Sequence, residues 1–242
     1  MRILGVIQAR MGSSRLPGKV LRPLAGRTAL GRLVRSVQES GAVDDLVIAT
    51  TTEEIDDPVA AEAQRLGLAV YRGATDDVLS RFLGALEAHP ADAVMRFTAD
   101  CPLLDPEIAA LGAQVFRSVP GLDYLTTSLA RTLPRGMDVE IIRATTLRAL
   151  DGLATDYHRT HVTSYVYTYP ERFRVIGLAL PPNRAHLRLT LDTAEDWQLV
   201  QAVVNHFGDS TVSLAKLVDW LDAHPEIRAL NAEVEQKTLD QA

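Results

Sequence analysis

Short apolar runs alternate with amphipathic segments in the first part of the chain. The runs are bounded by polar or turn-forming residues, as buried strands are, and they lie at residues 3–7, 46–50, 69–71 and 93–97. Apolar residues at helical spacing predict helices between them, at residues 30–37, 58–66 and 77–88. This alternation indicates an α/β fold: a Rossmann-like, mixed but mostly parallel sheet between two layers of helices, in an α/β/α arrangement.

The second half of the chain departs from strict alternation. Strands are predicted at residues 123–127 and 137–142, and the region around residues 123–142 is expected to form an arm or an antiparallel edge that makes subunit contacts. The pattern then predicts helices at residues 144–153 and 157–167, strands at 173–180 and 187–192, and a helical pair at 212–230. Thr193 and Asp196 have the spacing of a capping box at the start of another helix.

Length and composition predict one soluble domain over residues 1–242. Hydrophobic residues make up 47% of the chain and charged residues 23%, yet no apolar run approaches the ~18 residues of a membrane span. The single cysteine, Cys101, excludes an internal disulfide and a multi-cysteine zinc site, and a cytoplasmic location fits. The net charge of −6 argues against nucleic acid as a partner.

The positive charge is concentrated at the N-terminus. Residues 1–38 contain eight basic side chains and no acidic one, which predicts an anion-binding site, although an arginine-rich chain can give such a cluster by chance. Lys19 is one of only three lysines in a chain whose usual cation is arginine. A compact ammonium at that position favours a specific phosphate contact.

The loop at residues 8–19 resembles a phosphate-binding loop but lacks its metal ligand. A nucleotide-triphosphatase loop has four residues between its glycines and a serine or threonine after its lysine. Here five residues separate Gly12 from Gly18, and Val20 follows Lys19. Backbone N–H groups of such a loop can still approach phosphate oxygens. The side chains predicted to neutralise a triphosphate are Arg10, Arg15 and Lys19.

Two aspartates follow predicted strands and are candidates to hold the metal instead. Open α/β sheets bind ligands at the carboxyl ends of their strands, where Asp100 and Asp192 are expected. Mg²⁺ prefers oxygen ligands, typically a few carboxylates and the phosphates of the substrate. The alternatives are that Asp100 only shapes a turn before Cys101 and that Asp192 only neighbours the helix cap at Thr193.

Other polar residues have two interpretations each. Asp77 either caps a helix or contacts the nucleotide, and Glu195 and Asp196 are interpreted as first-turn residues that offset the helix dipole. His158 and His161 are three residues apart, but without a third ligand the pair is a weak zinc site. They are either structural or, for His161, directed at an acceptor substrate. The residues predicted to bind that acceptor are Arg135, Arg159 and His161, with Arg188 nearby.

The first strand and its loop, residues 7–21, read IQARMGSSRLPGKVL. This motif resembles the N-terminal signature of the cytidylyltransferases that make CMP-activated acidic sugars, the acylneuraminate and Kdo cytidylyltransferases. The resemblance is closest to the spore-coat polysaccharide (SpsF-type) subgroup. Further segments resemble that subgroup in order, at residues 73–82, 96–103, 134–140, 159–165 and 191–196. Ala99 and Ala194 depart from the pattern, since many relatives have glycine and proline there.

The resemblance implies a nucleotide-diphospho-sugar-transferase fold, usually dimeric, that uses CTP and Mg²⁺. In that family the basic loop residues bind the triphosphate, and the aspartates matching Asp100 and Asp192 hold the metal. The residues that the resemblance assigns to the nucleotide are Gln8, Ala9, Arg10, Met11, Gly12, Arg15, Lys19, Gly73 and Asp77. Arg10, Lys19, Asp100 and Asp192 are the predicted catalytic set.

The predicted activity is therefore cytidylyl transfer from CTP to an anionic, sugar-like acceptor with release of pyrophosphate, in polysaccharide or glycoconjugate biosynthesis. One alternative is nucleotidyl transfer from another triphosphate to a phosphosugar, phosphonate or phosphoamino acceptor. Another is a non-catalytic nucleotide-sensing domain. The absence of a glycine-x-glycine-x-x-glycine motif after the first strand argues against a dinucleotide dehydrogenase.

Overall fold

A seven-stranded sheet forms the centre of the computed structural model, which describes residues 1–236. In chain order its strands are β1 (Ile3–Gln8), β4 (Asp45–Thr51), β5 (Ala69–Gly73), β6 (Ala93–Thr98), β7 (Tyr124–Thr126), β8 (Glu140–Arg143) and β9 (Val175–Gly177). A small hairpin of β2 (Pro23–Leu24) and β3 (Arg27–Thr28) lies outside it. The spatial order is β5–β4–β1–β6–β8–β7–β9, with the first four strands parallel and β8 antiparallel to both of its neighbours.

Helices cover both faces of this sheet. They are α1 (Ala29–Ser40), α2 (Asp57–Arg65), α3 (Val78–Ala88), α4 (Pro106–Ser118), α5 (Ala144–Leu150), α6 (Tyr157–Thr160), α7 (Ser164–Thr168), α8 (Ala194–Phe207), α9 (Leu214–Ala223) and α10 (Pro225–Arg228). Short 3-10 helices lie at Lys19–Leu21, Glu54–Asp56, Pro170–Arg172 and Ala229–Asn231. One apolar core packs α1, α2, α4, α8 and α9 on one face, and a second packs α3, α5 and α7 on the other. The predicted three-layer α/β/α fold is confirmed.

The alternation of side chains in β1 explains why this strand is central. Ile3 and Ile7 point into one core, whereas Leu4 and Val6 point into the other, so the strand is buried on both faces. Gln8 ends the strand and pairs with Ala49 of β4 and Thr98 of β6. Because these strands are parallel, their carboxyl ends meet at one edge, and the loops that follow them are brought together there.

Two predictions about the second half are corrected. Residues 187–192 are extended but are not a strand of the sheet: they make a single bridge between Arg188 and Arg135. The predicted helix at 157–167 is divided into α6 and α7, because buried Val162 has a positive φ of 40° that a helix cannot accommodate. The segment 123–142 forms antiparallel strands, which is one of the two expected arrangements, and β7 lies between β8 and β9 in the sheet. Its role in subunit contacts stays a prediction.

Within the described part of the chain, residues 1–236, none of the helices combines the length and the apolar character needed to cross a membrane.

Candidate active site

A polar cleft of about 330 Å³ opens at the carboxyl ends of β1 and β6. Nine of the residues predicted from the sequence line it: Gln8, Ala9, Arg10, Gly12, Arg15, Lys19, Asp100, His161 and Asp192. Residues from β6, from the N-terminal side of α3 and from α6 complete the lining. The cleft therefore lies where ligands bind in open parallel sheets.

The loop between β1 and Lys19 is held closed at both ends. Gly18 has a φ of +68°, and its N–H donates to the carbonyl of Met11 at 3.0 Å. The N–H of Met11 in turn donates to the buried carboxylate of Asp56 at 2.6 Å. A side chain at residue 18 would be strained at this φ and would meet Met11, so glycine is required for the turn. This closure sets the position of Lys19, which begins a 3-10 helix immediately afterwards.

The Lys19 ammonium joins the two aspartates. Its Nζ donates to Oδ2 of Asp100 and to Oδ1 of Asp192, each at 2.7 Å. These two oxygens are therefore no farther apart than twice 2.7 Å, although the residues are distant in the chain. The Lys19 side chain is only 11% exposed, so both ion pairs lie in a largely dry part of the cleft.

A second cation binds the other oxygen of Asp192. Arg188 Nη2 donates to Asp192 Oδ2 at 2.9 Å, and Arg15 Nη2 lies 3.4 Å from the same oxygen. The extended segment that carries Arg188 reaches this point because the N–H of Leu191 donates to the carbonyl of Asp100 at 2.8 Å. The two oxygens of Asp192 are thus divided: one faces arginines, and the other faces Lys19 and Asp100.

Asp196 stabilises the loop that carries Asp192. It is fully buried, it closes the predicted capping box with Thr193, and it accepts from the Asp192 N–H at 2.9 Å. Arg188 Nε donates to its Oδ1 at 2.8 Å. Asn231 Nδ2 donates to the same oxygen at 2.8 Å and to the Arg188 carbonyl at 3.0 Å. The interpretation of Asp196 as a helix-start residue is confirmed, and the structure adds that its ion pair with Arg188 fixes the position of the Arg188 side chain.

Burial and charge act in opposite directions on the protonation of this site. Burial alone would raise the pKa of Asp100, but the Lys19 ammonium and the hydrogen bonds from Lys19, Thr98 and Cys101 hold that pKa below its usual value. Burial alone would lower the pKa of Lys19, and the two aspartates hold it above its usual value instead. Burial, reinforced by the Asp100 charge, raises the pKa of the Cys101 thiol well above normal, so this cysteine is a neutral packing residue near pH 7.

A second buried ion pair lies beside the cleft and was missed by sequence reasoning. Arg96 of β6 is the register partner of Glu140 of β8, and its Nη1 donates to Glu140 Oε1 at 2.5 Å. Arg96 Nε donates to Gln8 Oε1 at 3.1 Å, while Glu140 Oε2 accepts from the hydroxyls of Tyr124 and Thr163. Burial would raise the pKa of Glu140, but Arg96 and the two hydroxyls hold it below normal. The available signal was a charged residue inside each of two predicted strands.

Other predicted site residues lie elsewhere. Asp77 caps α3 by accepting from the Ser80 N–H at 2.9 Å, and its second oxygen pairs with Arg159 at 2.7 Å. Arg159 also pairs with Asp151 at 3.0 Å, and neither it nor Asp77 lines the cleft.

Arg135 lines a separate depression of about 340 Å³. Met11 and Gly73 adjoin the cleft residues without lining it. Thr75, Asp76, Arg81, Arg96, Thr98 and Thr160 line it without having been predicted.

Comparison with known proteins agrees with this geometry. A family model for cytidylyltransferases matches residues 4–210. The spore coat polysaccharide biosynthesis protein SpsF of Bacillus subtilis is 37% identical over 233 residues, which are 93% of this chain and 95% of SpsF. A 3-deoxy-manno-octulosonate cytidylyltransferase of Chelativorans sp. is 27% identical over 210 residues, which are 77% of this chain and 81% of that enzyme.

A solved structure gives the same result. A cytidylyltransferase from Leptospira borgpetersenii serovar Hardjo-bovis superposes with a TM-score of 0.91 at 32% identity, over 98% of this chain and 99% of that one. The predicted family, fold and type of enzyme are confirmed. The chain, with its basic glycine loop facing Asp100 and Asp192, belongs to the cytidylyltransferase family of nucleotidyltransferases.

Proposed function

We propose that the protein transfers the cytidylyl group of CTP to an acidic sugar, with release of pyrophosphate, as a step in making a polysaccharide or other glycoconjugate. The observation that carries the proposal is the meeting of Asp100 and Asp192 at one point beneath the basic loop. The names of two relatives support the acceptor class, since one is a spore coat polysaccharide biosynthesis protein and the other a 3-deoxy-manno-octulosonate cytidylyltransferase.

The residues present fit a divalent ion, and we propose Mg²⁺. Asp100 and Asp192 would be its protein ligands, because two carboxylates that can approach one point, completed by substrate phosphates, suit a hard cation. Among residues 1–236 there is no cluster of three or more acidic, histidine or cysteine side chains suited to a metal. A bound ion would supply neutralisation of the phosphate charge. The mycobacterial protein Rv0371c, 20% identical with a TM-score of 0.61, has been solved in complex with manganese.

The chain's own residues act by binding and by electrostatics. Arg10 and Arg15 line the cleft, and we propose that they bind the β- and γ-phosphates and so offset the charge that moves onto pyrophosphate as it leaves. An acceptor hydroxyl attacks the α-phosphorus of CTP. The bond between the α-phosphorus and the oxygen that bridges it to the β-phosphorus breaks, pyrophosphate leaves, and the hydroxyl proton passes to water. Arg96 and His161 lie on the cleft wall and are proposed to orient the acceptor.

Pyrophosphate release tests this proposal. The enzyme is incubated with Mg²⁺, each of the four nucleoside triphosphates, and a panel of 2-keto sugar acids, neutral sugars and sugar phosphates. We expect turnover with CTP and a sugar acid. Turnover with another triphosphate and a sugar phosphate would overturn the proposal in favour of the alternative transfer. CTP binding without turnover on any acceptor would favour a sensing domain.

The metal ligands are tested by Asp100→Asn. We expect its kcat/KM to fall by about 100-fold or more, as happens when a residue that stabilises the charge of a transition state is removed. Asp219→Asn is the matched control, because Asp219 is an exposed aspartate on α9, outside the cleft. Equal activity in the two variants would remove Asp100 from the catalytic set.

The oligomeric state and the location are further parts of the proposal. We propose a homodimer, as the family resemblance implies, and a cytoplasmic enzyme. Sedimentation of the purified protein at micromolar concentration tests the first, and fractionation of the producing cells tests the second.

A further inference from the structure

The Lys19 ammonium occupies the point between the two carboxylates that a divalent ion would occupy. Its bonds of 2.7 Å to both aspartates are short, and its side chain is largely buried. In this structure the carboxylate pair already has a cation.

The surrounding charges also disfavour a second cation. The carboxylates here are already balanced by three cationic side chains. Arg188 and Arg15 approach the oxygen of Asp192 that Lys19 does not hold, and Arg188 also pairs with a third carboxylate, Asp196. Within residues 1–236 no third acidic, histidine or cysteine side chain joins the pair to form a metal cluster. A divalent ion entering alone must displace Lys19 and then remain beside an ammonium with no oxygen to accept its bonds. Both steps are unfavourable.

A nucleoside triphosphate removes both obstacles. Its phosphates supply oxygens that can accept from Lys19, whose four-carbon stem lets the ammonium move away from the aspartates. The same phosphates supply ligands to the ion and offset the positive charge of the loop. The ion and the nucleotide therefore assist each other at this site.

We propose that Lys19 is the resident counter-ion of Asp100 and Asp192, and that the cleft takes a divalent ion and a nucleoside triphosphate together as a single ligand. This inference rests on the proposed function, because it assumes that Asp100 and Asp192 hold the ion. By linkage, the factor by which CTP tightens binding of the ion equals the factor by which the ion tightens binding of CTP.

Binding of Mn²⁺, measured by the loss of its free electron paramagnetic resonance signal, tests the proposal without turnover. The wild-type enzyme should bind Mn²⁺ weakly alone and ~10-fold or more tightly with CTP present. Lys19→Gln should bind Mn²⁺ ~10-fold or more tightly than wild type in the absence of nucleotide, because the competing ammonium is gone. Lys216→Gln, which changes an exposed lysine on α9, should match wild type in both conditions.

The outcomes separate this inference from the proposed function. If wild type binds Mn²⁺ in the presence of CTP and Asp100→Asn does not, the proposed metal ligands are supported. In that case, equal affinity of Lys19→Gln and wild type for free Mn²⁺ overturns the role of Lys19. If neither wild type with CTP nor Lys19→Gln binds Mn²⁺, the metal ligands are wrong and both proposals fail. Should Lys19→Gln not fold, tight binding of free Mn²⁺ by wild type without nucleotide still overturns the inference, and a CTP requirement supports it.

Discussion

Glu140→Gln is expected to destabilise the fold although it preserves the shape of the side chain. The Glu140 carboxylate accepts from Arg96, Tyr124 and Thr163 in a buried part of the sheet. Glutamine removes the charge that balances Arg96 and turns one acceptor oxygen into a donating NH₂ group that faces existing donors. Breaking a buried ion pair by removing one partner costs about 3–5 kcal/mol.

We expect the lower end of that range, ~3 kcal/mol, because Arg96 also lines the cleft, where water can solvate the unpaired guanidinium. For a domain of this size, each kcal/mol lowers Tm by about 2–4 °C, which gives a decrease of ~6–12 °C. Urea unfolding followed by circular dichroism measures the free energy of unfolding directly. An unchanged m-value would show that the native and denatured states expose the same surface as in wild type.

Glu39→Gln is the matched control. Glu39 accepts from Arg35 and from the Thr211 hydroxyl, each at 2.6 Å, so its partners are of the same chemical types. It is exposed on α1, however, and exposed ion pairs contribute only about 0–1 kcal/mol. A loss in Glu140→Gln no larger than in Glu39→Gln would refute the reasoning. It would mean that cleft water, rather than Glu140, compensates the charge of Arg96.

Two further predictions concern a close backbone contact and acid stability. Gly136→Ala should destabilise by more than about 1 kcal/mol in urea unfolding, since its φ is +96° and a Cβ would lie 2.5 Å from the Leu189 carbonyl oxygen. Gly152→Ala, where a Cβ meets nothing within 4 Å, should stay within about 0.5 kcal/mol of wild type, and equal losses would contradict the contact. Folding lowers the pKa of Asp100 and Glu140, so their contribution to stability is present above about pH 4 and is lost as pH falls through their folded pKa values. Urea midpoints at pH 7, 4 and 3 should therefore decrease, and Glu140→Gln should decrease less steeply.

The parallel half of the fold was predictable because its signal is local. The predicted strands at 3–7 and 93–97 match β1 and β6 within one residue at each end, since each is a mainly apolar run, interrupted only by Arg96 in the second, and bounded by polar residues. The capping box at Thr193 was also predictable, because all of its atoms lie within one turn of helix.

The errors come from interactions that are distant in sequence. Residues 187–192 do alternate, with Leu187, Leu189 and Leu191 buried, but their partners are a loop and Asp100 rather than a strand. A sequence pattern reveals an extended segment and not its neighbour. The break at Val162 was likewise unpredictable, because a positive φ at a buried valine depends on the surrounding packing.

The candidate site, like the fold, was predictable only in part. The approach of Asp100 to Asp192 was predicted from the rule that ligands bind at the carboxyl ends of parallel strands, but only Asp100 follows such a strand, whereas Asp192 ends an extended segment outside the sheet. That Lys19 lies between them did not follow, because its spacing from the glycines indicated only a phosphate contact. The pairing of Arg96 with Glu140 depends on the register of two strands that are 44 residues apart at this point, which no local pattern specifies.

Asn231 supports the candidate site from outside the region that the family model matches. The family model ends at residue 210, yet the Asn231 amide donates to Asp196 and to the Arg188 carbonyl, and Arg188 in turn donates to Asp192. Shortening the protein to residues 4–210 would remove that contact, together with Gln236 of the cleft wall, while leaving Lys19, Asp100 and Asp192 in the sequence. The segment after residue 210 thus helps to position Arg188, and through it Asp192, although it lies outside the region that the family model matches.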